Sequence, residues 1–309
     1  MKLNKIKLAL GFVTAAAMAM PIVASAAADQ EKAMSNSANW AHPRGQHDNQ
    51  AYSKLTQVNK GNVKNLKAAW TLSTGVNRGH EGSPLVIGNM LYVHTAFPNN
   101  VYALDLNNNQ KVVWSYFPKQ DPSVQAVLCC DNVNRGLGFG NGKIFLQQND
   151  GNLVALNAKT GAKVWSTSNV DPKVGATNTN APHVINDKVL TGCSGAEFGV
   201  RCFIAAYNIE DGSLAWKAMS TGPDSEVLIG ADFNKENPLY SALSVYEDVN
   251  GGNTEGGSFK RIPNDQLQGG VADLGLKTWL KPQAVKDGWQ HGGGSVWGWW
   301  PYDAKTNLV

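Results

Sequence analysis

Cys129 and Cys130 are the residues of this chain whose types and spacing carry the most definite chemistry. Consecutive Cα atoms lie about 3.8 Å apart across a trans peptide, whereas ordinary disulfides span about 4.4–6.8 Å. A bond between neighbours therefore closes a small strained ring, and such strain persists where the surroundings enforce it, often at functional sites. The alternative is two independent thiols, one in a core and one paired elsewhere; spacing alone leaves both open. A second pair, Cys193 and Cys202, flanks the stretch SGAEFGVR and is equally open between a bridge and two buried thiols. None of the six histidines shows metal-ligand spacing, and none follows a C-x-x-C, so covalent haem is excluded for this region.

The elements that must position these residues follow a rhythm. VYALDLNNNQKVVW ends at Trp114, LVALNAKTGAKVW at Trp165 and IAAYNIEDGSLAW at Trp216, an interval of 51 residues each time. Each unit runs a strand into a polar turn, such as Lys159-Thr160-Gly161 or Glu210-Asp211-Gly212, and a second strand then closes on Trp. NLKAAW, ending at Trp70, reads as a partial unit. PLVIGNMLYVHT (84–95), NGKIFLQQ (141–148) and HVINDKVLTG (183–192) supply intervening hairpins that turn at Asn or Asp. Strand–turn–strand units at this period predict an all-β fold, a β-propeller with one four-stranded sheet per repeat. The three tryptophans are then packing wedges between sheets. Residues 60–230 hold three repeats and part of another, while propellers close with about four to eight blades. Residues 231–290 lose the rhythm, and PYDAKTNLV reads as the middle of a hairpin. The sequence is thus expected to be an N-terminal portion of a larger propeller, with residues 29–309 in that domain.

Residues 1–28 read as an export signal. Lys2, Lys5 and Lys7 precede the apolar run Leu8 to Val23, and Ala24-Ser25-Ala26 is an A-x-A cleavage site. An exported chain is free to form disulfides. No later segment approaches about 18 uninterrupted apolar residues, so no membrane span is expected in the mature chain. Losing residues 1–26 takes Lys+Arg from 27 to 24, equal to the 24 Asp+Glu. A neutral chain gives no footprint for nucleic acid.

With these residues in view, the chain resembles the quinoprotein alcohol dehydrogenases, and within them the methanol dehydrogenase large subunits. The resemblance runs from about Asn39 to Val309. It rests on YSKLTQVNKGNVKNLKAAW, HEGSPLV, CCDNVNRGL, TNTNAPHV, GCSGAEFGVR, STGPD and GGGSVWGWWPYD, seven motifs in family order. It implies an eight-bladed propeller, of which this chain supplies the N-terminal blades, and the cofactor pyrroloquinoline quinone (PQQ). By resemblance, Cys129 and Cys130 form the disulfide ring on one face of the quinone and Trp297 stacks on the other. Arg135 and Glu81 match residues that bond the cofactor. Thr179, Ser194, Gly195 and Ala196 match hydroxyl or backbone donors, and Ser295 stands where the family often has Thr. Glu197 matches the carboxylate that binds the metal beside the quinone. The family's asparagine ligand and its general-base aspartate are expected beyond Val309.

The activity implied is periplasmic oxidation of methanol or another primary alcohol to the aldehyde, with electrons passed to a cytochrome c. Trp299 and Trp300 would narrow the substrate pocket. The metal is calcium or a lanthanide, and SGAEFGVR with Phe198 resembles the lanthanide branch more. Such a reading leaves room for a homodimer or a small-subunit partner. Two departures stand out: Cys202 occupies a place where the family commonly has Gly, and residues 232–288 read as an insertion. The rival readings are a non-catalytic periplasmic propeller that scaffolds protein assembly, and an inert truncated fragment. The adjacent cysteines and the triple-glycine strand weigh against the scaffold.

Overall fold

A computed structural model describes residues 28–130, 132–222, 246–248, 259–261 and 292–309. The expected export signal, up to residue 27, and most of the segment 232–288 read as an insertion lie outside the described residues. Short apolar stretches broken by Asn and Gly turns build three four-stranded antiparallel meanders. The first holds β1 (Leu85–Ile87), β2 (Met90–His94), β3 (Val101–Asp105) and β4 (Lys111–Tyr116). The second holds β5 (Leu137–Gly140), β6 (Lys143–Gln147), β7 (Asn152–Asn157) and β8 (Lys163–Ser168). The third holds β9 (His183–Ile185), β10 (Lys188–Thr191), β11 (Phe203–Asn208) and β12 (Leu214–Met219). The three hairpins expected at 84–95, 141–148 and 183–192 are all present as β1–β2, β5–β6 and β9–β10. β6 is buried along its whole length, whereas β8 is mostly exposed. Sheets stacked face to face bury their inner strands on both sides, which is the propeller layout.

The 51-residue period is a docking period. Trp114 Nε1–H donates to the Ala158 carbonyl at 3.0 Å, and Trp165 Nε1–H to the Ile209 carbonyl at 3.2 Å; both acceptors lie 44 residues on, in the next sheet. Each indole also covers a turn glycine of that sheet. A Cβ on Gly161 would meet Trp114 at 2.6 Å, and one on Gly212 would meet Trp165 at 2.6 Å. Each sheet carries a register shift at the same point of its third strand, at Ala103/Leu104, Ala155/Leu156 and Ala206/Tyr207. Trp216 is 37 % exposed and so departs from the buried wedge expected of it. NLKAAW also departs from expectation. Residues 66–73 form no strand, pair with no strand among the described residues, and leave Trp70 exposed. Trp165→Phe is expected to lower stability by about 2 kcal/mol, because the buried indole is cut back to a smaller ring and the Ile209 carbonyl loses its donor. Urea unfolding with an unchanged midpoint would refute that docking bond.

Two further seams tie the sheets together. Helix α1 (Ala28–Ser35) lays the Asp29 carboxylate on the β5–β6 turn, where it accepts from Asn141 and Gly142 N–H, both at 2.7 Å. A histidine seam joins residues 42–47 to β9 and the segment 299–302. His42 lies 5.0 Å from His183 between ring centroids, and His183 lies 4.8 Å from Trp300. Asp303 and Leu308 exchange backbone bonds, as the hairpin reading of PYDAKTNLV expects.

Burial pushes the His183 imidazole down to about 3 and the His94 imidazole to about 4, and it lowers His42 as well. A base held below its ordinary value of 6.5 takes its proton first in the unfolded chain. Stability is therefore complete above about pH 6.5 and falls as pH drops towards 4 for His94 and 3 for His183. Each group steepens that fall by about 1.4 kcal/mol per pH unit. Unfolding midpoints measured between pH 7 and 5 should show this slope, and His183→Gln should remove one group's share.

Candidate functional site

Arg135 is the point where distant segments meet. Its backbone N–H donates to the Thr179 carbonyl at 3.0 Å, which sets the residue against the 177–180 stretch. Its side chain is buried. Nη1 donates to Thr179 Oγ1 at 2.5 Å, Nη2 lies 3.3 Å from Glu81 Oε2, and Cζ stands 4.5 Å over the Trp297 ring. Burial lowers the guanidinium pKa while the Glu81 carboxylate opposes the shift, and the group stays charged.

The residue after Glu81 makes a close approach with no sequence signature. A Cβ on Gly82 would meet the His94 ring at 2.0 Å and the Arg135 carbonyl carbon at 3.1 Å. His94 Nε2 lies 3.1 Å from the Asn134 carbonyl. A carbonyl only accepts, so the proton sits on Nε2 and the buried Nδ1 is bare. His94 thus packs against Gly82, next to Glu81, and bonds the carbonyl of the residue before Arg135. Sequence spacing could not have revealed it, because its neighbours come from loops on either side of β2–β4.

Thr177 and Ser194 exchange backbone bonds at 3.1 and 2.8 Å. Below them is a buried amide layer. Asn178 Nδ2 donates to Thr191 Oγ1 at 2.8 Å and to the Gly192 carbonyl at 2.5 Å, and Thr191 Oγ1 lies 3.0 Å from Gln147 Oε1. The Ser194 and Thr177 hydroxyls are buried and have no hydrogen-bond partner among the described residues. Idle hydroxyls of that kind carry a desolvation cost unless something bonds them.

Cys129 and Cys130 are joined, with Cα atoms 3.8 Å apart. Cys130 stands in the left-handed region at φ 63°, and so does Asn132. The loop is held there by Asn132 N–H donating to the Cys129 carbonyl at 3.2 Å and by Phe97 N–H donating to the Asn132 carbonyl at 2.9 Å. Cys193 and Cys202 are also bonded, which resolves the open pairing. Gly195 and Ala196 lead into a single 3-10 turn, Ala196–Phe198, that presents Glu197 to solvent. Ser295 lies half-buried on the strand-like segment 292–297, which bonds to Cys193 through Val296. Trp299 lies under Arg44 and Trp300 packs on His183, so both indoles are engaged in the histidine seam. Among the described residues no group of three or more His, Cys, Asp or Glu could hold a metal.

A charged guanidinium over an indole face, with buried hydroxyls awaiting acceptors, suits a flat anionic molecule. The class so defined is a ligand-holding β-propeller. The chain belongs to the PQQ-dependent dehydrogenase family: the family model "PQQ: Glucose/ethanol/alcohol dehydrogenase, beta-propeller domain" matches residues 40–237. It is 44 % identical over 277 residues to "Methanol dehydrogenase [cytochrome c] subunit 1" of Methylorubrum extorquens, covering 88 % of this chain and 39 % of that protein. It is 45 % identical over 278 residues to the "Lanthanide-dependent methanol dehydrogenase" of the same organism, covering 90 % and 41 %. A solved "Europium-containing methanol dehydrogenase" superposes with a TM-score of 0.74 at 42 % identity, over 90 % of this chain and 42 % of that one. The chain spans about two fifths of the length of the curated relatives it matches. Among the described residues no helix is long and apolar enough to cross a membrane.

Proposed function

We propose that the polypeptide carrying this chain oxidises methanol or another small primary alcohol to the aldehyde in the periplasm, using PQQ and a bound calcium or lanthanide ion, and passes electrons to a cytochrome c. The observation that carries this reading is the convergence of Glu81, Thr179 and Trp297 on the buried Arg135 guanidinium. When bound, PQQ supplies the two-electron acceptor and the metal supplies Lewis acidity.

The chain's own residues bind and orient. Arg135 offsets the cofactor's negative charge and offers a planar fork of donors. Thr179, Ser194 and Ser295 offer hydroxyls, and Gly195 and Ala196 offer backbone groups on a turn with little steric bulk. Trp297 gives an apolar plane from one side. The Cys129–Cys130 ring gives a compact sulfur surface that is fixed by its own backbone. Glu197 supplies one hard oxygen ligand, which needs others to complete a cage. Relatives named for cytochrome c and for lanthanide dependence are matched at nearly equal identity, 44 % and 45 %, so the overall likeness leaves the metal undecided. Phe198 in the turn favours the lanthanide. The test is methanol-dependent dye reduction by full-length protein loaded with PQQ and either lanthanum or calcium. We expect turnover with lanthanum. Turnover with calcium alone would reverse the metal assignment, and none with either would reject the activity.

A further inference from the structure

The β10–β11 ladder ends at the pair Thr191 and Ala205. Beyond it, residues 192–202 leave the sheet as the excursion that carries Ser194 and Glu197, and β11 resumes at Phe203. Cys193 and Cys202 are bonded across the neck of that excursion, with Cα atoms 5.3 Å apart, inside the ordinary range. We propose that the Cys193–Cys202 disulfide is a positioning clamp for the Glu197 carboxylate and for the strand that bears Trp297. The proposal rests on the reading of Glu197 as a metal ligand given above.

Three observations carry it. The first is burial: both cysteines are fully inaccessible and belong to the core that contains Phe203, Ala205 and Val189. The clamp is therefore anchored in the body of the sheet, at the base of residues 194–201. Secondly, both cysteines hold the segment 292–297. Val296 N–H donates to the Cys193 carbonyl at 2.8 Å, and Cys202 N–H to the Gly293 carbonyl at 3.5 Å. One covalent bond thus fixes the separation of the two carbonyl and amide anchors on which that segment lies. Its far end places Trp297 beside Arg135.

Thirdly, the hydrogen bonds within the turn do not reach beyond it, and outside the clamp it rests on the Thr177–Ser194 backbone pair and on packing against Gly175 and Gly292. Its bonds from Phe198 and Val200 N–H to Gly195 O and from Gly199 N–H to Ala196 O are local. Gly195 and Gly199, both at positive φ, bracket it. Glu197 is exposed and has no ion-pair or hydrogen-bond partner among the described residues. A carboxylate on such a turn spreads over many orientations unless the base of the turn is held, and closing the neck removes much of that freedom. Cys193 and Cys202 touch no ligand themselves, so they are positioning residues.

The test titrates europium(III) chloride, and separately calcium chloride, into full-length protein at matched PQQ content, read by luminescence or calorimetry. Wild type is compared with Cys193→Ser/Cys202→Ser and with Cys193→Ala/Cys202→Ala, so that one pair reports if the other fails to fold. Val189→Ala, a cavity in the same core but away from the turn, is the comparator for general destabilisation. We expect the cysteine pairs to bind europium about 10–100-fold more weakly, the usual effect of removing support behind a metal ligand. Val189→Ala should lose thermal stability with wild-type metal affinity. Equal affinity in wild type and either folded cysteine pair would overturn the clamp alone. Weakening matched by Val189→Ala would overturn it as well. A wild type that takes up neither metal would overturn the functional reading and the clamp with it.

Discussion

Arg135→Ala is expected to lower PQQ retention by on the order of 100-fold. The change deletes the cation that bonds Thr179 Oγ1, faces Glu81 and covers the Trp297 ring. A hydrogen bond to a charged group contributes roughly 1.5–3 kcal/mol, and about 1.4 kcal/mol is a factor of ten. In the variant the Glu81 carboxylate would face the cofactor's own negative charge without a cation between them. Arg135→Lys keeps the charge but gives up the planar fork and most of the stacking on the indole, so it should recover only part of the loss. The measurement is quinone absorbance per mole of purified full-length protein, beside a melting curve. Wild-type PQQ content in Arg135→Ala would remove Arg135 from the site. Loss of the melting transition together with the quinone would mean that the residue serves the fold instead.

Much of the scaffold was legible because it repeats. Trp114 and Trp165 sit at the same step of a periodic pattern, and each docks 44 residues ahead. A local pattern recurring at fixed intervals encodes neighbour contacts directly. NLKAAW shows the limit of that logic, since a strand needs a partner ladder as well as a strand-like sequence. Trp216 shows the same limit, because its ring has the right spacing and yet stays 37 % exposed.

The site was legible in a different way. Arg135, Thr179 and Trp297 came from resemblance, and the structure brings them to one place. His94 could not come from either source. Its role depends on Gly82 lacking a Cβ and on the carbonyl of Asn134, which are properties of backbone approach that no spacing rule records. Whether Cys193 and Cys202 were joined was equally undetermined from composition. The pairing needed the end of the β10–β11 ladder to bring the two Cα atoms to 5.3 Å.

Backbone approach also sets the second large effect, at Gly192. A Cβ there would stand 2.0 Å from the Val296 carbonyl oxygen and 2.9 Å from its carbon. Neither atom can rotate away as a side-chain tip could, so Gly192→Ala must push the 292–297 segment off Cys193. Overpacking of this kind typically costs about 1–3 kcal/mol, and the rigid obstacle places this case at the upper end. Function should suffer more than stability. Val296 leads directly to Trp297, and a displacement of about 1 Å in a positioning element can cost roughly 100-fold in rate. Gly298→Ala is the matched control, because nothing lies within 4 Å of a Cβ at that position in the same segment. We expect Gly192→Ala to lose PQQ and alcohol turnover while the far-ultraviolet signature of the sheets persists, with Gly298→Ala close to wild type. If both variants behave alike, Trp297 does not depend on the contact between Gly192 and Val296, and the indole must be held from elsewhere.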